Sequence, residues 1–239
     1  MCRTKFACYV LMLNIFKSAL FHFICPICVR CGSFQVLSHF FCRWCTHDFL
    51  IQQLQKTSTS TNDGVEVHSF LTWTPRQSDS LSEFVYLLKS RVSQSAWTWI
   101  VQQIQGEICE VLDSSDSVLF IPVPGSRQSF HTEFFSGELQ QFLGGQRKNV
   151  LRHKSAILRP QKSKIRADRN RIQFCLDEEF THGISSVDHI VLVDDIYTTG
   201  STLAAAANAI KNELKLKDIK TVKISGLVLF RRDKSNMSE

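Results

Sequence analysis

The chain has 239 residues, of which 44% are apolar and 18 are Phe, enough to bury the core of one large or two small domains; a disordered or fibrous protein is excluded. The formal charge of +6 is unevenly spread: from Arg147 to Arg171 ten basic residues meet one acid, Asp168, so this stretch carries +9 and the remainder −3. Nine cysteines would suit a disulfide-stapled secreted domain, but five of them crowd into one N-terminal stretch with Cys-x-x-Cys spacing, which points away from that class.

Residues 1–24 hold an apolar run, Phe6 to Phe16, behind Arg3 and Lys5, which imitates a signal peptide. No small-residue cleavage site follows, and Lys17 interrupts the run before it can span a bilayer, so a cytoplasmic chain without a stable membrane span is expected. Met12 opens a stretch suited to a short helix, and translation is expected to start there. Over residues 25–55, Cys25-x-x-Cys28 and Cys42-x-x-Cys45 are separated by 13 residues. Each knuckle brings two thiolates together and the loop lets the pairs converge on a tetrahedral Zn²⁺, so Cys25, Cys28, Cys42 and Cys45 are the expected ligands of a structural zinc finger. Cys31 also forms a Cys-x-x-Cys with Cys28 and is the substitute ligand; His39 and His47 are weaker ones.

Lys56 to Gly64 is rich in Ser, Thr and Asn and reads as a turn that separates the cysteine module from a second domain over residues 65–235. Val65 to Leu71 alternates like a strand, Asp79-Ser80 starts a helix through Phe84, Leu87 and Leu88, and Ala96 to Leu112 is an amphipathic helix with Trp97, Ile100 and Ile104 on its apolar side. Trp97, Trp99, Cys109 and Cys175 are expected in the core, and Lys89 and Arg91 at a solvated helix end. Val118 to Val123 is a buried strand stopped by Pro122 and Pro124. Gly125, Ser126 and Arg127 form the turn after it, suited either to cupping a diphosphate with backbone N–H groups or to an ordinary strand end. A helix over His131 to Leu143 ends at Gly144-Gly145. The basic stretch that follows has no hydrophobic period and is expected to be a mobile loop or ribbon before a strand at Ile172 to Leu176. It could neutralise a leaving diphosphate, grip a nucleic-acid backbone, or form a solvated face.

Ile190 to Val193 is the sequence of a parallel strand buried on both sides, and Asp194 and Asp195 stand at its carboxyl end. Thr198, Thr199, Gly200, Ser201 and Thr202 then lead into an alanine-rich helix, Ser201 to Leu214, and Thr221 to Phe230 is the next strand: a βαβ unit. Ligands of open α/β sheets bind outside the carboxyl ends of strands, and a helix N-terminus with hydroxyls and a glycine is a phosphate cradle. The two carboxylates are acceptors suited to the hydroxyls of a sugar, directly or through a divalent cation. No P-loop string is present.

The run Val191-Leu192-Val193-Asp194-Asp195-Ile196-Tyr197-Thr198-Thr199-Gly200 resembles the 5-phosphoribosyl 1-diphosphate (PRPP) motif of type I phosphoribosyltransferases. Together with the N-terminal cysteines, Ile121-Pro122-Val123-Pro124 and the Gln161 to Arg169 basic element, it resembles the ComF family over about residues 13–232. That resemblance implies a zinc finger joined to a type I phosphoribosyltransferase-like domain, an open, mainly parallel sheet flanked by helices. It also implies PRPP with Mg²⁺ as ligand, and a role in DNA uptake through single-stranded DNA or a competence helicase, which can bring a cytoplasmic protein to the membrane. One departure stands out: family members carry an Arg-Gly-Phe-Asn-Gln-like string where this chain reads Arg127-Gln128-Ser129-Phe130-His131, without the glycine that permits close backbone approach. The alternative is an active phosphoribosyltransferase with an unknown acceptor, in which Asp194, Asp195, Lys162, Lys164 and Arg166 are the candidate catalytic residues. Purine salvage enzymes place a base-contacting aspartate where this chain has Thr198, which cannot act as a general base.

Overall fold

A computed structural model describes residues 28, 31–33, 42, 44–45, 58–74, 80–89, 94–112, 117–125, 130–154, 173–219 and 222–232. Its elements, in chain order, are β1 (Ser58–Asn62), β2 (Val65–Trp73), α1 (Ser80–Leu88), α2 (Gln94–Gln103), α3 (Gln105–Val111), β3 (Val118–Pro122), α4 (His131–Leu143), β4 (Gln146–Arg147), β5 (Leu151–His153), β6 (Phe174–Leu176), β7 (His189–Tyr197), α5 (Ser201–Leu216) and β8 (Lys223–Arg232). Six strands form one sheet in the order β1-β2-β8-β7-β3-β4; all its pairs are parallel except β1 with β2. The class is therefore α/β, with a mixed, mostly parallel sheet flanked by helices.

Parallel strands covered on both faces must be apolar throughout, and β7 begins with five buried residues. Period-two alternation then sorts them. Val191 and Val193 join Phe120 and Leu229 in one core, with Phe84 of α1, Trp97 and Ile100 of α2, and Phe135 and Leu139 of α4. Ile190 and Leu192 join Leu119, Ile121 and Val228 in the other, against Leu203, Ala206 and Ile210 of α5. The helices thus lie on opposite faces. From β3 the chain passes through α4 to β4 on one side; from β7 it passes through α5 to β8 on the other. Because β3 and β7 are hydrogen-bonded neighbours, their carboxyl ends flank a topological switch point, the place where such sheets leave a crevice.

Several expectations need correction. The 56–64 segment is not a plain turn: Ser58 to Asn62 pairs antiparallel with β2, and Asp63 (φ 49°) and Gly64 (φ 71°) make a two-residue hairpin bend. The β-branched threonines fit an exposed edge strand, and Asp-Gly is a hairpin signal outweighed in the sequence by the polar composition. The expected helix of residues 96–112 starts at Gln94 and breaks at Ile104, just before Gly106, a poor helix former. Cys109 is exposed because it lies one position round the helix from buried Ile108, and Cys175 is half-buried. Trp97 and Trp99 are core residues as expected: Trp97 stacks on Phe135 at 5.2 Å and Trp99 meets Phe84 edge-on at 5.5 Å. Met12, residues 1–24, His39 and His47 lie outside the described residues. Among the described residues no helix is long and apolar enough to cross a membrane.

Phe135 is fully buried between the sheet and Trp97, so Phe135→Ala is expected to lower the unfolding free energy by about 3–5 kcal/mol. The exposed Phe142→Ala on the same helix should change it by under about 0.5 kcal/mol. Urea titration of the two variants measures the difference, and equal midpoints would contradict this packing.

Candidate functional site

The first candidate centre is the cysteine cluster. Cys28, Cys31, Cys42 and Cys45 bring their sulfur atoms within 4.8 Å of one another. Cys31 and Cys42 are 3.7 Å apart, close to the edge of about 3.8 Å that four sulfurs at about 2.3 Å from a central ion define. Both knuckles are held by the backbone. The Gly32 N–H donates to the Cys28 carbonyl and the Cys28 N–H to the Ser33 carbonyl, each at 2.9 Å, with Gly32 at φ 69°, a left-handed angle that a side chain would strain. In the second knuckle the Cys45 N–H donates to the Cys42 sulfur at 3.4 Å. Burial, and then the neighbouring thiols, push the Cys45 thiol well above its ordinary range.

These four residues fit a metal such as zinc. Cys31 completes the set that spacing assigned to Cys25; Cys25 itself lies outside the described residues. Cys28, Cys42 and Cys45 also belong to the first core, so the cluster packs onto the α/β unit. Substituting Cys28→Ser should remove one tightly bound zinc per chain in native mass spectrometry, with a fall in thermal stability; undiminished zinc content would exclude Cys28 as a ligand.

The second candidate centre is the end of β7. Alternation sends Asp194 and Asp195 to different sides of the sheet edge, and the Asp195 N–H donates to Asp194 Oδ1 at 2.8 Å. Asp194 is held well above the usual carboxylate range, first by burial and then by the negative charge of Asp195. Asp195 points toward α1, where the Lys89 ammonium lies 3.0 Å from its Oδ2. Lys89 is exposed just past the end of α1, as expected, but its ammonium is also paired. Its partner is far away in the chain, which is why sequence reasoning missed it. His131, at the start of α4, shares this corner: burial lowers its basicity against the pull of Asp195, and its Nδ1 is buried without a hydrogen-bond partner.

Beyond the acids, Thr198 and Thr199 are exposed, Gly200 is buried at φ 77°, and Ser201 opens α5. Thr199 Oγ1 and Ser201 Oγ are 3.0 Å apart, which folds the hydroxyls over the helix start. The hairpin tip clamps this turn: Asn62 Nδ2 donates to the Thr199 carbonyl at 3.2 Å, and a Cβ on Gly200 would meet Asn62 at 2.3 Å and the Tyr197 ring at 2.8 Å. Across the switch point, the Val123 N–H donates to the Val193 carbonyl at 2.9 Å, which places the turn after β3 beside the acids. His153 Nε2 lies 3.0 Å from both the Pro124 and Gly125 carbonyls and fixes that turn. Ser126 and Arg127 lie outside the described residues.

The basic stretch divides in two. Arg147 meets Glu133 and Ser136, Lys148 donates to the His182 carbonyl, and Arg152 forms a two-pronged pair with Asp177, so these three serve the fold. β5 and β6 pair antiparallel, Leu151 with Leu176 and His153 with Phe174. Lys162, Lys164 and Arg166 lie outside the described residues.

No protein-family model matches the chain, and no curated protein matches it.

The raised Asp194 sets a pH test. A carboxyl with a higher proton affinity folded than unfolded costs stability as pH rises from the ordinary carboxylate value toward its folded value, and the cost persists above that. Asp194→Asn is therefore expected to unfold at a higher temperature than wild type at neutral pH, with the gain vanishing below about pH 4. Thermal unfolding followed by circular dichroism across this range decides it; a neutral-pH loss would show that the ionised acid is favoured.

Proposed function

We propose that the protein binds PRPP or a related phosphorylated ribose at the carboxyl end of β7. The observation that carries this reading is one juxtaposition. Two adjacent carboxylates end a buried strand, and a turn of exposed hydroxyls runs straight into the N-terminus of a sixteen-residue helix, beside the turn after β3. Carboxylates accept hydrogen bonds from sugar hydroxyls, while hydroxyl donors and the free N–H groups of α5 suit a phosphate. Gly200, at a left-handed φ and packed under Asn62 and Tyr197, gives the turn its shape.

The finer reading, a type I phosphoribosyltransferase-like domain in a ComF-like protein of DNA uptake, rests on the motif resemblance. The antiparallel β5–β6 ribbon and the cysteine cluster support it. In this reading Lys162, Lys164 and Arg166 contact phosphates of a ligand or of single-stranded DNA, and the partner is a helicase of the uptake machinery. Phosphate contacts of that kind give an affinity that falls steeply with salt.

Isothermal titration of PRPP tests the ligand site. Wild type is expected to bind, and Asp194→Ala/Asp195→Ala to lose at least about tenfold in affinity, the effect of removing charge-assisted hydrogen bonds. Equal binding by the double variant, or no binding by wild type, would end the reading.

A further inference from the structure

The ion that the family resemblance adds at the acid pair is Mg²⁺, and the residues present do not fit it. Mg²⁺ takes about six oxygens in a strict octahedron and is repelled by a neighbouring ammonium. Here one oxygen of Asp195 is taken by Lys89 Nζ at 3.0 Å and one oxygen of Asp194 by the Asp195 N–H at 2.8 Å. Mg²⁺ commonly needs only one or two carboxylates beside waters and substrate phosphates, so what argues against it here is the ammonium already seated on the pair.

Resting on the ligand reading above, we infer that Lys89 is the resident cation of the acid pair, and that this site holds a phosphorylated ribose without a divalent metal ion. The placement of Lys89 is built into the fold. Its N–H donates to the Val85 carbonyl at 3.1 Å, closing α1, while Val85 and Leu88 are locked in the first core. The side chains of Lys89 and Asp195 are 37% and 18% exposed, so solvent screens the pair only in part. A lysine ammonium has three N–H donors. One is spent on Asp195, and two remain for a sugar hydroxyl or a phosphate oxygen, the service a metal ion would give. His131, which shares this corner, is held toward its neutral form by burial, which leaves Lys89 as the positive charge here among the described residues. Lys89 is thus a ligand-binding residue that also holds Asp195 in place.

The test titrates ribose 5-phosphate, which has no diphosphate to carry its own metal, into the full chain in buffer freed of Mg²⁺ over a chelating resin and in the same buffer with Mg²⁺ restored. Avoiding a soluble chelator leaves the cysteine cluster intact. Wild type and Lys89→Arg are expected to bind equally in both buffers. Lys89→Met is expected to bind about tenfold more weakly without Mg²⁺, the loss of one charge-assisted hydrogen bond, and to recover when the ion fills the vacated place. A metal requirement in wild type, or Lys89→Met binding like wild type in both buffers, overturns the inference while leaving the ligand reading in place. No binding of ribose 5-phosphate by wild type in either buffer also overturns the inference, while the titration with PRPP decides the ligand reading separately. A purely structural lysine would shift the melting temperature but not the dependence on Mg²⁺.

Discussion

Strand β7 is paired on both sides, with β3 and with β8, and is covered on both faces, so it has no freedom to shift in register or tilt. A slip of one residue would exchange Val191 and Val193 for Ile190 and Leu192 across the sheet and would turn two carboxylates into the wrong cores. The position of the acid pair follows from this confinement. Four apolar residues, Ile190 to Val193, fill the two cores, and the acids follow at the partly buried end of the strand. The elevated proton affinity of Asp194 is the residual cost of putting a carboxyl at that boundary.

Around this fixed point the other groups arrive from separate parts of the chain. Lys89 comes from α1, His131 from α4, the hydroxyl turn from the start of α5, and Asn62 from the β1–β2 hairpin, 137 residues before its partner Thr199. Each is anchored by its own element, whether by the core-facing residues of α1 and α4 or by the antiparallel ladder of the hairpin. The cysteine cluster contributes differently. Three of its members touch the same core as α1, so a metal there steadies a layer that also holds the lysine.

Local patterns carried much of this into the sequence. The β7 run was readable because four consecutive buried apolar residues, Ile190 to Val193, leave an unmistakable block, and α4 because Phe135 and Leu139 repeat at helical spacing before Gly144 and Gly145. The Asp-Gly bend went unread because the threonines around it look like loop composition when their cross-strand partners are unknown. Spacing favours Cys25 as the fourth ligand with Cys31 as its substitute, since both stand at Cys-x-x-Cys distance from Cys28; it is the three-dimensional arrangement that brings Cys31 into the cluster. The basic stretch looked uniform in sequence. Yet Arg147 and Arg152 meet acids, and Lys148 a carbonyl, brought by other elements, contacts that no local pattern encodes.

The hairpin has a practical consequence for anyone dividing the chain. β1 covers one side of β2, whose other side is already paired with β8. A fragment trimmed to begin at Val65 would leave the long, largely buried β2 with a bare row of N–H and C=O groups, a template for pairing with a second molecule. The same cut would discard Asn62, so the piece would be both stickier and looser at the turn that opens α5.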